Sequence, residues 1–262
     1  MPHALVPRRA WPDDRYPHWA VAALRGAGAQ VTEDGDRGDV ALLPAAASGV
    51  PRTRARRTIG LVDKPFRAGE ERLATAEIVA VSEALAAGWE GARVVRPAVP
   101  AGEVVAHEGA TLRLASVGPL HWSAGHEHAV AATARLLAGG TAVELRVVGG
   151  DGPARDAILF TAFDLGIERA VTVIDGDERA EALRADVVVV GAVEDRAWTG
   201  LLYALAGGVP VAATDLPTMR ELGVPALVPP RDPVALAGAI LRREPGPPSA
   251  TDLEACGRAL LG

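Results

Sequence analysis

The chain has 262 residues, of which 49% are hydrophobic and 23% are charged, and its formal net charge is −6. This composition indicates a globular protein, and the acidic balance argues against nucleic acid as the main partner. No apolar run approaches the roughly 20 residues that a transmembrane helix needs. The charges of MPHALVPRRAWPDD follow a very short apolar piece, so we expect no signal peptide. The single cysteine, Cys256, favours a reduced, cytoplasmic protein.

Short β-branched runs alternate with Ala- and Leu-rich runs in the first part of the chain. They predict strands at 3–7, 29–33, 39–44, 57–63, 77–83 and 92–97, and helices at 18–28, 67–75 and 83–88. Because these strands are short and continuously apolar, we expect them to be buried on both faces of a parallel sheet.

The pattern restarts after a Pro- and Gly-rich polar stretch at 97–110. It predicts strands at 111–118, 143–150, 170–175, 186–192, 210–215 and 225–230, and helices at 125–138, 153–165, 178–184, 196–206, 217–222 and 232–243. Repeated β-α units imply an open, doubly wound sheet. A linker at 244–250 precedes a terminal helix capped at Thr251.

This organisation predicts an α/β fold of two Rossmann-like domains that face a central cleft. The predicted segments are a compact domain at 1–108, a second domain at 109–245, and a linker with a terminal helix at 246–262 that returns to the first domain. In open α/β sheets, ligands bind at the carboxyl ends of the strands, so we expect functional residues there.

The segment RVVGGDGPARD (146–156) places three glycines between a predicted strand and a predicted helix. Gly149, Gly150 and Gly152 give the backbone freedom, and Pro153 suits the first turn of a helix. Backbone N–H groups at such a helix start can hold a diphosphate. The alternative is an ordinary strand-to-helix turn, which every Rossmann-like sheet contains.

Six segments, in order, resemble the C-terminal, donor-binding domain of family 4-type glycosyltransferases. They are SVGPL (116–120), RVVGGDGPARD (146–156), VTVID (171–175), ADVVVV (185–190), GLLYALAGGVPVAATD (200–215) and LVPPRDPVALAGAI (227–240). The resemblance implies the GT-B fold and the retaining transfer of a sugar from a nucleotide-sugar donor to an unknown acceptor. It implies neither a cofactor nor a metal. The Arg-rich composition, with Lys64 as the single lysine, is typical of a GC-rich bacterial genome.

The resemblance also assigns roles to individual residues. Asp195, or Glu194 displaced by one position, would contact the sugar, and Asp63 and Lys64 would serve catalysis from the acceptor side. The donor-binding positions are Gly118, His121, Gly149, Gly150, Gly152, Thr199 and Tyr203.

Several positions depart from the family's pattern. Pro119 and Ala124 stand where the family has an arginine and a lysine that bind the donor diphosphate, and Tyr203 replaces a ribose-binding glutamate. Losing two cations should cost several kcal/mol of transition-state stabilisation unless other groups replace them. The alternative function is therefore a non-catalytic protein of the same fold that binds or regulates a partner.

Two clusters outside the family's motif have open interpretations. HWSAGHEH (121–128) lacks a recognisable metal-ligand spacing; His121 or His126 either contacts phosphate or belongs to a solvated helix start. RTRARR (52–57) is either a solvated loop or part of the site for an anionic acceptor.

Overall fold

The computed structural model describes residues 1–11, 17–34, 37–47, 53–64, 71–73, 77–150, 152–196, 199–246 and 252–262. The chain forms two compact units, one of Met1–Pro100 with Ala250–Gly262 and one of Ala101–Ser249. Each unit contains a six-stranded parallel sheet. The predicted α/β class, with two parallel sheets, is confirmed.

The first unit has the sheet order β2-β1-β3-β5-β7-β8, and a short antiparallel pair, β4-β6. Its elements are β1 (His3–Leu5), α1 (His18–Gly26), β2 (Gln30–Thr32), β3 (Arg37–Pro44), β4 (Ala46–Ala47), β5 (Arg54–Val62), β6 (Glu71–Arg72), β7 (Glu77–Ala80), α2 (Glu83–Ala86) and β8 (Arg93–Val94). All six strands predicted in this region are present.

The second unit has the sheet order β11-β10-β9-β12-β13-β14. Its elements are β9 (Leu112–Val117), α3 (His126–Ala138), β10 (Val143–Val148), α4 (Arg155–Asp164), β11 (Val171–Ile174), α5 (Glu178–Arg184), β12 (Val187–Val190), α6 (Thr199–Gly207), β13 (Val211–Thr214), α7 (Pro217–Glu221), β14 (Ala226–Val228) and α8 (Pro233–Arg242). The terminal helix, α9 (Leu253–Leu261), belongs to the first unit.

Two apolar cores cover the two faces of the second sheet. Helices α3, α4 and α8 pack on one face, and α5, α6 and α7 pack on the other. The four valines of β12 are all buried, as expected for a central parallel strand.

Residues 101–108 were predicted to belong to the first domain, but they group with the second unit. One contact that joins them to it is the hydrogen bond from the N–H of Val105 to the carbonyl of Leu183.

Two local predictions were wrong. The helix expected at 67–75 is instead a strand at Glu71–Arg72, where backbone pairing with Ala46–Ala47 overrides helix propensity; the remainder lies outside the described residues, apart from Leu73. Thr251 also lies outside them. The terminal helix begins at Leu253 and is capped by Asp252, whose carboxylate accepts from the N–H of Ala255 at 2.8 Å.

Packing of α9 on α1 depends on small residues. Gly257 lies so close to α1 that a Cβ atom on it would overlap the carbonyl oxygen of Ala23. Arg57 and Arg93 donate to the last carbonyls of α9, and Glu77 binds both arginines. These cations complement the negative end of the helix dipole.

Within the described residues, no helix is long and apolar enough to cross a membrane.

Candidate functional site

Glycines bring the loops after β9 and β10 into direct backbone contact. Gly118 has φ 133°, a conformation that favours glycine, and its N–H donates to the carbonyl of Val148 at 3.0 Å. A Cβ atom on Gly149 would overlap the carbonyl oxygen of Gly118, and one on Gly152 would overlap that of Leu120. Gly118, Gly149 and Gly152 therefore form one rigid surface, which we call the glycine cluster.

Gly150 differs from its neighbours. Its φ lies outside the left-handed region, and a Cβ atom on it would have no neighbour within 4 Å among the described residues. Gly150 is exposed. Packing within the described residues therefore gives no reason for glycine at this position.

The turn after β9 is joined to the loop after β12. Gly125 has φ 63°, and a Cβ atom on it would overlap the carbonyl oxygen of Gly191. Val193 donates its N–H to the carbonyl of Ser123 at 3.0 Å. His121 begins this turn, where its Nδ1 accepts from the N–H of Ser123 at 3.3 Å. The backbone thus connects the ends of β9 and β12 as it does those of β9 and β10.

His126 is a buried bracing residue and not a phosphate contact. Its Nδ1 lies 2.8 Å from the Ser116 hydroxyl, and its Nε2 lies 3.1 Å from the carbonyl oxygen of Pro119. Since the carbonyl can only accept, Nε2 carries the proton and Nδ1 accepts from Ser116. Burial lowers the pKa of His126 to about 4. The imidazole is therefore neutral near pH 7 and replaces no missing cation.

The two positions where the family has donor-binding cations supply no charge here. Pro119 and Ala124 are both buried. Trp122 lies between them in the turn and is 50% exposed. This turn therefore exposes an aromatic side chain to solvent where the family has cations.

Glu178 is a site residue that the sequence did not single out. One of its carboxylate oxygens accepts from the N–H of Gly200 at 3.0 Å, at the start of α6. Burial raises the pKa of Glu178 to about 7, although the Gly200 N–H and the charge of Arg196 oppose the rise. Glu178 follows Asp177, the cap of α5, and nothing in the local sequence distinguishes it from an ordinary first-turn glutamate.

Tyr203 lies on α6 and faces α5. The residue is 9% exposed, and the guanidinium of Arg179 lies 5.3 Å from the centre of its ring. Burial raises the pKa of Tyr203 above its usual value, and the charge of Arg179 opposes the rise. The ring is thus held by packing and by a cation–π contact. Thr199, the first residue of α6, is partly buried.

Asp195 holds the start of α7. One carboxylate oxygen accepts from the N–H of Thr218 and the other from the Thr218 hydroxyl, both at 2.9 Å. Burial raises the pKa of Asp195 above its usual range, while the bonds from Thr218 oppose the rise. The neighbouring Glu194 is partly exposed. The structure thus shows a bracing contact for Asp195.

The remaining candidates lie in the first unit. Asp63 and Lys64 follow β5 at its carboxyl end, and both are 8% exposed. The RTRARR segment is not a loop where it is described, because β5 begins at Arg54. Arg57 is engaged with Glu77. Among the described residues, no group of three His, Cys, Asp or Glu side chains could hold a metal ion.

Solved structures share this fold at low sequence identity. A TarM mutant from S. aureus, in complex with fondaparinux, α-GlcNAc-glycerol and UDP, has a TM-score of 0.62 and 13% identity over 80% of this chain and 48% of that chain. Sucrose-phosphate synthase from Thermosynechococcus elongatus has a TM-score of 0.67 and 18% identity, covering 100% and 94% of the two chains. A glycosyltransferase from Rickettsia africae has a TM-score of 0.64 and 12% identity, covering 99% and 92%.

These likenesses confirm the GT-B type of fold. The chain spans about half the length of TarM but nearly all of the other two. No curated protein sequence matches it significantly. The family model described as glycosyl transferases group 1 matches residues 111–243, which is just over half of the chain and contains the glycine cluster. The chain therefore belongs to the glycosyl transferases group 1 family.

Proposed function

We propose that the chain transfers a sugar from a nucleotide-sugar donor to an unidentified small-molecule acceptor, with retention, in the bacterial cytoplasm. The donor is a substrate, and the reaction uses neither a cofactor nor a metal. Family membership supports the reaction class, and the structural neighbour TarM was solved with UDP. The proposed donor site consists of Gly118, His121, Gly149, Gly150, Gly152, Thr199 and Tyr203.

Gly150 is the observation that carries the proposal. The described residues supply neither a steric nor a φ requirement for glycine at this exposed position. A ligand that approaches the backbone supplies one, because a side chain would then block it. Gly150 precedes α4, and the start of a helix favours anionic groups such as a diphosphate.

Catalytic roles are proposed for three acidic residues and one lysine. Asp195 or Glu194 contacts the sugar, and Asp63 and Lys64 act on the acceptor side. Both oxygens of Asp195 accept from Thr218, so a direct sugar contact by Asp195 would have to exchange one of these bonds, and the partly exposed Glu194 is the alternative. Lys64, which follows β5 at its carboxyl end, would serve an anionic acceptor.

A non-catalytic role is the second candidate function. It is favoured by the burial of Pro119 and Ala124 in place of two cations, and by the packing of Tyr203 in place of a ribose-binding carboxylate. In that case the chain binds and regulates a partner glycosyltransferase.

Turnover separates the two functions. The purified chain should release a nucleoside diphosphate from one member of a panel of nucleotide sugars when a mixed acceptor extract is added. Nuclear magnetic resonance of the product then reports the anomeric configuration, and inversion would contradict the proposed retention. The regulatory role would be favoured by two results together. No nucleotide sugar of the panel is turned over, and the chain co-purifies with an active glycosyltransferase whose rate rises when more of this chain is added.

Gly150→Ala tests the donor site itself. We expect binding of the nucleoside diphosphate to weaken at least about tenfold, which is 1.4 kcal/mol. The melting temperature should not fall, since the added methyl group would contact none of the described residues. Titration calorimetry measures the affinity. Gly238→Ala, on α8, is the matched control, because its nearest atom would lie 3.9 Å away. Equal affinity in both variants and the parent would remove Gly150 from the site.

A further inference from the structure

The helix α4 is apolar on its outer face as well as on its inner face. Ile158 and Ala162 are buried against the sheet, whereas Leu159, Phe160 and Phe163 are 41%, 67% and 69% exposed. Leu165, which follows the helix, is 44% exposed. A surface helix normally carries polar residues on its outer side. We call these four exposed residues the α4 patch.

Phe160 and Phe163 dominate one side of α4. They stand three residues apart, and the exposed Asp156 precedes Phe160 by four, so the three side chains share one side of the helix. The helix ends at Asp164, and Gly166, with φ 68°, turns the chain away from the helix axis. A twofold axis beside Phe160 and Phe163 would therefore bring the aromatic side chains of two copies together.

We propose that the α4 patch is the interface of a homodimer in which two copies of α4 pack antiparallel across a twofold axis. A twofold interface uses the same surface on both subunits. In this pairing Phe160 and Phe163 of one subunit pack against the same residues of its partner, and these aromatic side chains supply most of the buried area.

The exposed area is sufficient for such a dimer. From the exposed fractions and a side-chain area of 150–250 Å² for an aromatic residue, two copies of the patch would place roughly 800 Å² of apolar surface at the centre of the interface. A stable interface buries about 1,200–2,000 Å² in total, of which somewhat more than half is apolar.

The charges around the patch disfavour a lipid surface as the occupant. Asp156, Asp164 and Glu168 are exposed beside it, whereas helices that bind anionic membranes carry Lys and Arg on the polar side. Acidic side chains at this position would be repelled by the negative surface of such a membrane.

Sedimentation equilibrium of the full chain tests the interface. We expect a dimer at protein concentrations of about 10–100 µM, and a dimer dissociation constant at least about 100-fold higher in Phe160→Ser/Phe163→Ser. The matched control is Val234→Ser/Leu241→Ser on α8, where the exposed fractions are 62% and 54%, and it should remain dimeric. A monomeric parent chain at about 100 µM, or a phenylalanine variant that stays dimeric, would overturn the proposal.

A vesicle assay separates the dimer interface from a surface that binds lipid. Co-sedimentation of the parent chain with phosphatidylserine vesicles, lost in the phenylalanine variant, would instead assign the patch to membranes.

Discussion

At the scale of single residues, desolvation favours the neutral form of one basic and one acidic group in the second unit. His126 braces the turn after β9, and burial lowers its pKa to about 4. Glu178 binds the start of α6, and burial raises its pKa to about 7. Both groups therefore favour their neutral forms, so this region carries less charge near pH 6 than its composition suggests.

Glu178 should make stability fall as pH rises. Its pKa is raised in the folded state, so its contribution is complete below the unfolded value of 4.5 and is lost as pH rises through about 7. The full effect is about 3 kcal/mol. Thermal melts of the parent chain and Glu178→Gln, which keeps an acceptor for Gly200, should diverge between pH 4.5 and 7. Parallel pH profiles would contradict the assignment.

Tyr203 marks the departure from the family's pattern most directly. If the chain binds a donor, Tyr203→Glu should tighten binding of the nucleoside diphosphate about tenfold, or 1.4 kcal/mol, because a carboxylate can accept from both ribose hydroxyls. Tyr203→Phe is the control and should bind like the parent. Two results together would support a non-catalytic role. Calorimetry would detect no binding to the parent chain or to either variant, and Tyr203→Glu would melt at a lower temperature, because its carboxylate would be buried without a ligand.

At the scale of elements, α9 is fixed at both its middle and its end. Gly257 allows close approach to α1, and Arg57 and Arg93 hold its last carbonyls while Glu77 binds both. The two guanidinium groups lower the pKa of Glu77. The close packing, and not the half-exposed ion pairs, should dominate the stability of this helix.

Gly257→Ala should destabilise the first unit by about 1–3 kcal/mol, because the added methyl group overlaps the backbone of α1. The same change at Gly238 in α8 has room and should stabilise by about 0.5–1 kcal/mol. Denaturant unfolding measures both. Equal effects at the two positions would show that α9 is not packed on α1 as described.

Most elements could be predicted from the sequence because each strand is a short β-branched run that parallel pairing buries on both faces. The helix at 67–75 failed because a two-residue pairing with distant residues decides the structure there. The glycine pattern predicted a turn between a strand and a helix at 149–152, but the contacts of Gly149 and Gly152 with the loop after β9 are visible only in the structure. Glu178 and the bracing role of His126 could not be predicted, because both depend on contacts between elements that are far apart in sequence.

At the scale of the whole molecule, the two units differ in their intrinsic fluorescent probes. Among the described tryptophans, Trp11, Trp19 and Trp89 are buried in the first unit, whereas Trp122 is half exposed in the second; Trp198, also in the second unit, lies outside the described residues. In Trp198→Phe, the shift in tryptophan emission on heating should therefore report mainly the first unit. A nucleoside diphosphate at about 100 times its dissociation constant should stabilise the second unit by about 2.7 kcal/mol. The ligand should raise the temperature of the calorimetric transition of the second unit and leave the midpoint of the tryptophan emission unchanged. If both temperatures rise together, the two units unfold in one cooperative transition.

The glycine cluster has a consequence for engineering this chain. Its contacts join main chain to main chain, so they do not depend on which side chains flank them. The exposed or partly exposed positions His121, Trp122, Val193 and Glu194 can therefore be randomised in a combinatorial library. The glycines, the buried Leu120, Ala124 and Ala192, and Asp195 are kept constant. Selection from such a library would explore new donor preferences on a surface whose shape is inherited unchanged by every member.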